Sequence, residues 1–281
     1  GYGFVAKALA RRLGARGWRR AATFRRADQM VEIAADGAEP VEWMSGGVAA
    51  GAFDGVDAIL VSTPPGEGGC PALAAARAAL TKAPALWIGY LSTNGVYGDH
   101  GGGWIDEESP LLATSPRGRA RINAENDWRA FADDYGHRLA IFRLPGIYGP
   151  GRSALDQVRS GRAQRIFKEG QVFSRMHVED IAAAVEASLD QPEAGALFNL
   201  ADDEPAPPQD VIDYACRLLG VPSPPLIPFE AAQLSDMART FYADNKRVSN
   251  ARMKRALGVG LRHPTYREGL HAIFAEEIRR A

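Results

Sequence analysis

The chain opens Gly1-Tyr2-Gly3-Phe4-Val5-Ala6 and passes at once into Lys7-Ala8-Leu9-Ala10-Arg11-Arg12-Leu13, where apolar residues at 5, 8, 9 and 13 recur at helical spacing. The first glycine permits a tight turn, the second lets backbone approach a pyrophosphate, and a small third residue lets the helix pack closely, with phosphate charge at its N-terminus. The chemistry that fits is dinucleotide binding, with Gly1, Tyr2, Gly3, Phe4 and Val5 as the cofactor turn. A plain glycine-rich turn before a helix is the competing reading, because 30 glycines in 281 residues make a Gly-x-Gly triplet common by chance.

About 20 residues beyond the glycines, where such folds read the ribose, stand Arg25 and Arg26. A carboxylate there accepts hydrogen bonds from the 2′-hydroxyl of NAD, whereas arginine offers a planar donor fork to a 2′-phosphate. The pair favours NADP(H) over NAD(H). Arg25 is the better single reader, since Asp28 stands two residues beyond Arg26; solvated arginines at a strand end are the alternative.

The elements that must hold these residues alternate. Strands are expected at 18–24, 39–43, 57–61, 86–91, 138–144 and 196–200, and helices at 27–35, 71–81, 122–131 and 177–189. Parallel α/β is the economical arrangement. Ser62, Thr63 and Pro64 follow the 57–61 strand directly and Pro145 follows the 138–144 strand, at the carboxyl edge where ligands gather in open α/β sheets. The glycine turn itself should follow a buried strand, and nothing precedes Gly1. The expectation is therefore a chain that begins inside a longer protein, with a central gap in the sheet between strands near 21–25 and 57–61.

Composition narrows the partners. Lys plus Arg number 33 against 34 acids, a formal charge of −1 without long like-charge runs, which argues against nucleic-acid or membrane-surface binding. Apolar stretches such as 57–65 and 86–91 are far shorter than the ~18 residues of a membrane span. Cys70 and Cys216 have no metal-type spacing, so no disulfide framework or metal site is expected, and a reducing, cytoplasmic setting fits.

Taken in order, GYGFVA at 1–6, LSTNGVYGD at 91–99, PRGRARINAE at 116–125, FRLPGIYGPG at 142–151, MHVEDIA at 176–182 and FNLADDEP at 198–205 resemble the short-chain dehydrogenase/reductase superfamily. The resemblance is to its extended group of NAD-dependent epimerases and dehydratases and covers nearly the whole chain. It implies a doubly wound parallel sheet (Rossmann) with a smaller interleaved C-terminal lobe. Residues 1–150 and the returning segment 171–203 would bind dinucleotide; 151–170 and 204–281 would form the substrate lobe.

The resemblance also assigns roles. It places the hydroxyl that polarises the substrate oxygen on Thr93. The family's Pro-Tyr-Gly-x-Ser-Lys is matched here by Pro116-Arg117-Gly118-Arg119-Ala120-Arg121, so arginine stands at both key positions. Arg121 can still donate to the nicotinamide ribose. Arg117 cannot transfer a proton, because guanidinium stays charged and has no acceptor lone pair. It can bind an anionic group on the substrate, or be a surface arginine. Tyr97 is the candidate substitute acid, with a tyrosine packed under the turn as the alternative.

Other candidates have plainer explanations. His177 opens a helix with Glu179 and Asp180 and reads as structural before catalytic. Asp106-Glu107-Glu108 reads as a solvated loop, and Lys246 or Arg247 can contact substrate while Asn250 caps a helix.

The leading expectation is an NADP(H)-binding oxidoreductase of the epimerase/dehydratase type, acting on a carbonyl or hydroxyl group of a small, anionic or nucleotide-sugar-like substrate. A non-catalytic NADP(H)-binding sensor or regulatory protein, motivated by the absent tyrosine, and an epimerase with tightly held cofactor remain the alternatives.

Overall fold

The computed structural model describes residues 1–43, 47–48, 51–191 and 197–280. The chain runs α1 (Phe4–Ala15), β1 (Ala21–Phe24), α2 (Ala27–Ala35), β2 (Glu39–Glu42), β3 (Ala58–Val61), α3 (Pro71–Leu80) and β4 (Trp87–Thr93). A 3-10 turn (Asn94–Tyr97) follows, then β5 (Trp104–Ile105), α4 (Pro116–Tyr135), β6 (Arg138–Leu144), β7 (Gly146–Tyr148), α5 (Ala154–Arg159), β8 (Arg165–Phe167), β9 (Arg175–His177) and α6 (Val178–Asp190). The remainder is β10 (Leu197–Asn199), α7 (Pro208–Leu219), β11 (Leu226–Pro228), α8 (Asp236–Ala243), β12 (Arg247–Val248), α9 (Ala251–Leu257) and α10 (Tyr266–Arg280). Ala196, where the expected strand begins, lies outside the described residues.

The main sheet is parallel in the order β10-β6-β4-β3, and β1 pairs with β2 in a separate parallel sheet. Among the described residues no strand joins β1 to β3, so the interruption falls at the expected position. Helices cover both faces, which is why β4 and β6 read as largely apolar runs. Alternation sorts their side chains. Trp87, Leu91, Ala140, Phe142 and Leu144 face Val5, Leu9, Ile181 and Val185 of α1 and α6. Ile88, Tyr90 and Ile141 face Leu73 and Leu80 of α3 and Trp128 and Phe131 of α4. A third core joins Tyr148, Leu155, Ile212, Cys216, Tyr266 and Leu270. Cys70 and Cys216 are free and lie in different cores. No helix of the described residues is long and apolar enough to cross a membrane.

Helix α4 is longer than its apolar spacing predicts. Ser115 caps its start, the side chain accepting from the Gly118 N–H at 3.1 Å, and Pro116 occupies its first position, where a missing N–H costs nothing. It stops at Gly136, in the left-handed conformation at φ 69°. The Pro116–Arg121 stretch therefore forms its opening turns rather than a loop.

A buried polar chain crosses behind this helix. Glu125 of α4 accepts Ser92 Oγ at 2.6 Å, Arg143 Nε at 3.1 Å and Arg143 Nη2 at 2.7 Å. Arg143 Nη1 donates to the Tyr97 hydroxyl at 2.9 Å, which donates to Asn199 Oδ1 at 2.7 Å. Helix α4, β4, β6, the 3-10 turn and β10 are thus joined by one charge pair, both members at or below 2% side-chain exposure. Glu125→Ala strands the Arg143 charge, and urea denaturation should register a loss of about 3–5 kcal/mol; a loss below about 1 kcal/mol would mean that Arg143 is compensated by other groups.

At the β9 to α6 junction His177 serves as the helix cap, Nδ1 accepting from the Glu179 N–H at 3.3 Å. Its ring lies 3.9 Å from that of His263, whose Nδ1 sits 2.9 Å from Asp180 Oδ2. Burial, then the neighbouring His263, lowers the His177 pKa to about 4. The unfolded chain titrates near 6.5, so it binds the proton first. Stability is whole above pH 6.5 and is lost as pH falls toward 4, by about 3 kcal/mol. His177→Asn keeps a capping acceptor without the titration; urea midpoints at pH 7 and pH 4.5 should converge in the variant, and an unchanged acid sensitivity would assign the effect elsewhere.

Candidate functional site

The carboxyl ends of β3, β4 and β6 face a cleft with a volume of about 1570 Å³, enough for a dinucleotide and a small substrate together. Pro64, Thr93, Arg117, Arg121 and Pro145 line it, joined from the other side by Tyr148, Arg152, Arg175, Phe241, Tyr242 and Lys246.

The glycine turn meets the neighbouring loops at one end of this edge. Ser62 Oγ donates to the Gly1 carbonyl at 3.1 Å, and a Cβ built on Gly1 would lie 3.5 Å from Thr63 Oγ1. The loop after β7 closes over the start of α1: a Cβ on Gly149 would come within 3.0 Å of Phe4, and the Arg152 guanidinium sits 5.7 Å from the Phe4 ring centre. Gly3 caps α1 without a side-chain hydrogen bond and no acid stands in its first turn, so its N–H groups remain open to an anion. These residues fit a dinucleotide pyrophosphate. Tyr2 and Val5 are core side chains, the Tyr2 hydroxyl donating to Asp36 at 2.8 Å, which leaves them only backbone to offer.

Arg25 and Arg26 follow β1. Arg26 is engaged by Asp28 through two hydrogen bonds of 3.0 and 2.9 Å, whereas the exposed Arg25 guanidinium has no partner among the described residues. Burial, and after it the Arg25 charge, lowers the pKa of the Gly1 amino group. Arg25 therefore stands beside the turn with a free donor fork.

Thr93 ends β4 half-buried, its Oγ1 accepting from the Gly95 N–H at 3.1 Å. That bond uses a lone pair and leaves the hydroxyl proton free to donate into the cleft. Gly118 brings α4 against this turn: a Cβ there would meet Ala113 Cβ at 2.6 Å and the Gly95 carbonyl at 3.0 Å. Thr93, Arg117 and Arg121 thus share one wall. Arg121 Nη1 donates to the Leu91 carbonyl at 2.7 Å. Exposed Arg117 has no partner among the described residues.

Tyr97 corrects the expectation of a substitute acid. It is fully buried, absent from the cleft wall, and its hydroxyl is committed to Arg143 and Asn199. Burial also raises its pKa, which makes it a poorer proton donor. Two further readings change. Glu107 is not solvated: it is buried, accepts from the Asn199 N–H at 2.7 Å, and burial raises its pKa. Asn250 makes no cap bond; its Nδ2 instead donates to the Ala201 carbonyl at 2.9 Å and to Asp203 Oδ1 at 2.7 Å.

Of the other candidates, Arg247 is turned to the Gly102 carbonyl, while Lys246 lines the cleft with Nζ donating to the Gly98 carbonyl at 2.7 Å and to Asp244 Oδ2 at 3.3 Å. Burial lowers the Lys246 pKa. His177, Asp180 and His263 are close enough to surround a cation, with ligand atoms within 4.8 Å of one another. Their hydrogen bonds tell against it: Asp180 already accepts the N–H groups of Arg262 and His263, and His177 Nδ1 accepts a backbone N–H, which puts the ring proton on Nε2. Arg152 and Arg175 carried no periodic or motif signal beyond a charge inside an otherwise apolar stretch.

Comparison with known proteins agrees with this geometry. The NAD dependent epimerase/dehydratase family matches residues 68–201. A conserved protein of Silicibacter pomeroyi, described as functionally unknown, is 48% identical, with 99% of this chain and 97% of that one covered at a TM-score of 0.90. A human epimerase family protein solved with NADPH shares the fold at 19% identity and a TM-score of 0.74, over 97% of this chain and 96% of that one. A 3-diazoavenalumate denitrifying reductase of a Streptomyces species is 30% identical over 176 residues, and the chain spans 58% of that relative's length and 59% of its own. Residues 68–201 thus carry the NAD dependent epimerase/dehydratase domain, and the sheet order, the sequence of motifs and these matches support an atypical short-chain dehydrogenase/reductase with arginine at 117 and 121.

Proposed function

We propose that the protein is an NADP(H)-dependent oxidoreductase that reduces the carbonyl group, or oxidises the corresponding hydroxyl, of a small molecule held between the dinucleotide-binding part and a substrate lobe formed by 151–170 and 204–281. The observation that carries this reading is the shared cleft wall of Thr93, Arg117 and Arg121, together with a glycine turn held by Ser62 of the loop after β3 and flanked by a free Arg25. The family's cofactor is a nicotinamide dinucleotide, and the reductase among the relatives favours net redox chemistry.

When bound, the nicotinamide supplies or accepts a hydride. The chain's own residues do the rest. Thr93 donates a hydrogen bond to the substrate oxygen and aligns it, keeping its own proton. Arg121, steadied by Leu91, offers its remaining N–H groups to the nicotinamide ribose. Arg117 takes up negative charge on the substrate. With Tyr97 turned away, Lys246 is the proton donor: its ammonium has one N–H uncommitted, and burial makes that proton more acidic than a solvated lysine's.

Incubation with NADPH and a panel of carbonyl compounds tests the reading. Cofactor oxidation supports it. Absence of turnover with intact NADPH binding would favour a sensor, and a copurifying dinucleotide with no dependence on added cofactor would favour an epimerase. With a substrate in hand, Thr93→Val and Lys246→Met should each lower kcat at least about tenfold while leaving NADPH affinity within about twofold; unchanged kinetics would remove the residue from the mechanism.

Cofactor choice is tested at Arg25. Hydrogen bonds to a charged group are worth about 1.5–3 kcal/mol, so Arg25→Ala should weaken NADPH binding by roughly 10- to 100-fold and leave NADH binding unchanged. Fluorescence titration with each cofactor measures this. Equal loss for both, or none, would refute a 2′-phosphate contact.

A further inference from the structure

Arg175, the first residue of β9, lines the cleft on the side of α7 and α10. Its position is costly for a charge: burial lowers the pKa of its guanidinium. The compensation is thin. Nη1 and Nη2 reach the Ala206 carbonyl, each at 3.5 Å, and the guanidinium lies 5.6 Å from the Tyr266 ring centre. No carboxylate among the described residues comes within the 4.0 Å of an ion pair.

Asp202 is the acid with the largest electrostatic effect on Arg175, and it does not neutralise it. The Asp202 carboxyl is itself buried and pushed up to about 8, and its Oδ2 has no hydrogen-bond partner. The cleft offers no other answering charge. Its acids are Asp156, whose Oδ2 accepts both the N–H and the Oγ–H of Ser153 at 2.8 and 2.6 Å, and Asp244, which is bound to Lys246. A half-buried guanidinium facing a cleft without an anion is a preformed half of a charge-assisted pair.

We propose that Arg175 anchors an anionic oxygen group of the substrate, a carboxylate or a phosphate, seated between the rings of Tyr148 and Tyr266. The assignment rests on the reading that this cleft takes a small-molecule substrate beside the dinucleotide. It adds a second point of attachment: Arg117 meets the substrate on the α4 wall, and Arg175 holds it from the β9 side.

The full chain, saturated with NADPH, is titrated with inorganic phosphate and separately with benzoate at constant ionic strength, with melting temperature and calorimetric heat as readouts. A saturable rise in melting temperature with one of the two anions is expected, and the anion that gives it distinguishes phosphate from carboxylate. Arg175→Met should raise the midpoint concentration at least tenfold, leave NADPH affinity unchanged, and keep or raise the melting temperature in anion-free buffer, since it removes an uncompensated charge. Arg175→Lys, which retains a cation, should keep part of the response, and Arg159→Gln, outside the cleft, all of it. The proposal is overturned if neither anion acts on the wild-type protein, if Arg175→Met responds as the wild type does, or if Arg175→Met melts far lower without anions, which would make the arginine structural. Failure of the wild-type protein to bind NADPH would sink the functional reading instead, and the anion titration would still report on Arg175.

Discussion

The α4 wall of the cleft is positioned by one buried charge pair. Glu125 and Arg143 lie out of water, where neither is tolerated alone, and their hydrogen bonds reach Ser92, Tyr97 and, through Tyr97, Asn199. Because those residues sit on β4, the turn after it, β6 and β10, the pair sets how far helix α4 stands from the sheet. Thr93 at the end of β4 and Arg117 at the start of α4 inherit that spacing. The pair therefore does for geometry what a larger apolar contact cannot: hydrogen bonds are directional, so the register of helix against strand is specified and not merely the distance.

The remaining charges follow a different rule. Ion pairs such as Arg26 with Asp28 or Arg159 with Glu277 lie at the surface, where water makes them worth little. Inside the cleft the balance is uneven: its acids are held by neighbours while Arg117 has no partner and Arg175 has only distant ones. A chain whose overall charge is close to zero thus presents a locally cationic cavity.

Much of the fold was legible because it depends on local pattern. Helix α2 and strand β6 were expected at 27–35 and 138–144 and lie there, β6 as an apolar stretch interrupted by Arg143. Helix α4 was legible only from Ile122 onward, since 116–121 contains no apolar spacing and its helicity depends on the Ser115 cap and on contact with the Gly95 turn. Tyr97 marks the limit more sharply. Its place four residues after Thr93 is visible in the sequence, but the direction of its ring is decided by Arg143 and Asn199, 46 and 102 residues away. Glu107 misleads for the same reason: an acid in a polar run reads as solvated until a distant backbone N–H is found to bind it.

Gly118 has a consequence for the two arginines beside it. The contact it permits, backbone of α4 against the Gly95 turn, makes no use of the side chains at 117 and 121. The seats that the wider family gives to tyrosine and lysine are therefore still built and still aimed at the same wall, with arginines in them. The frame does not depend on which side chains fill those seats, so R117Y and R121K together would set a tyrosine and a lysine on the same wall without disturbing the Gly118 contact. The departure from the pattern that the resemblance implies is thus confined to side chains, while the backbone of the wall is built without them.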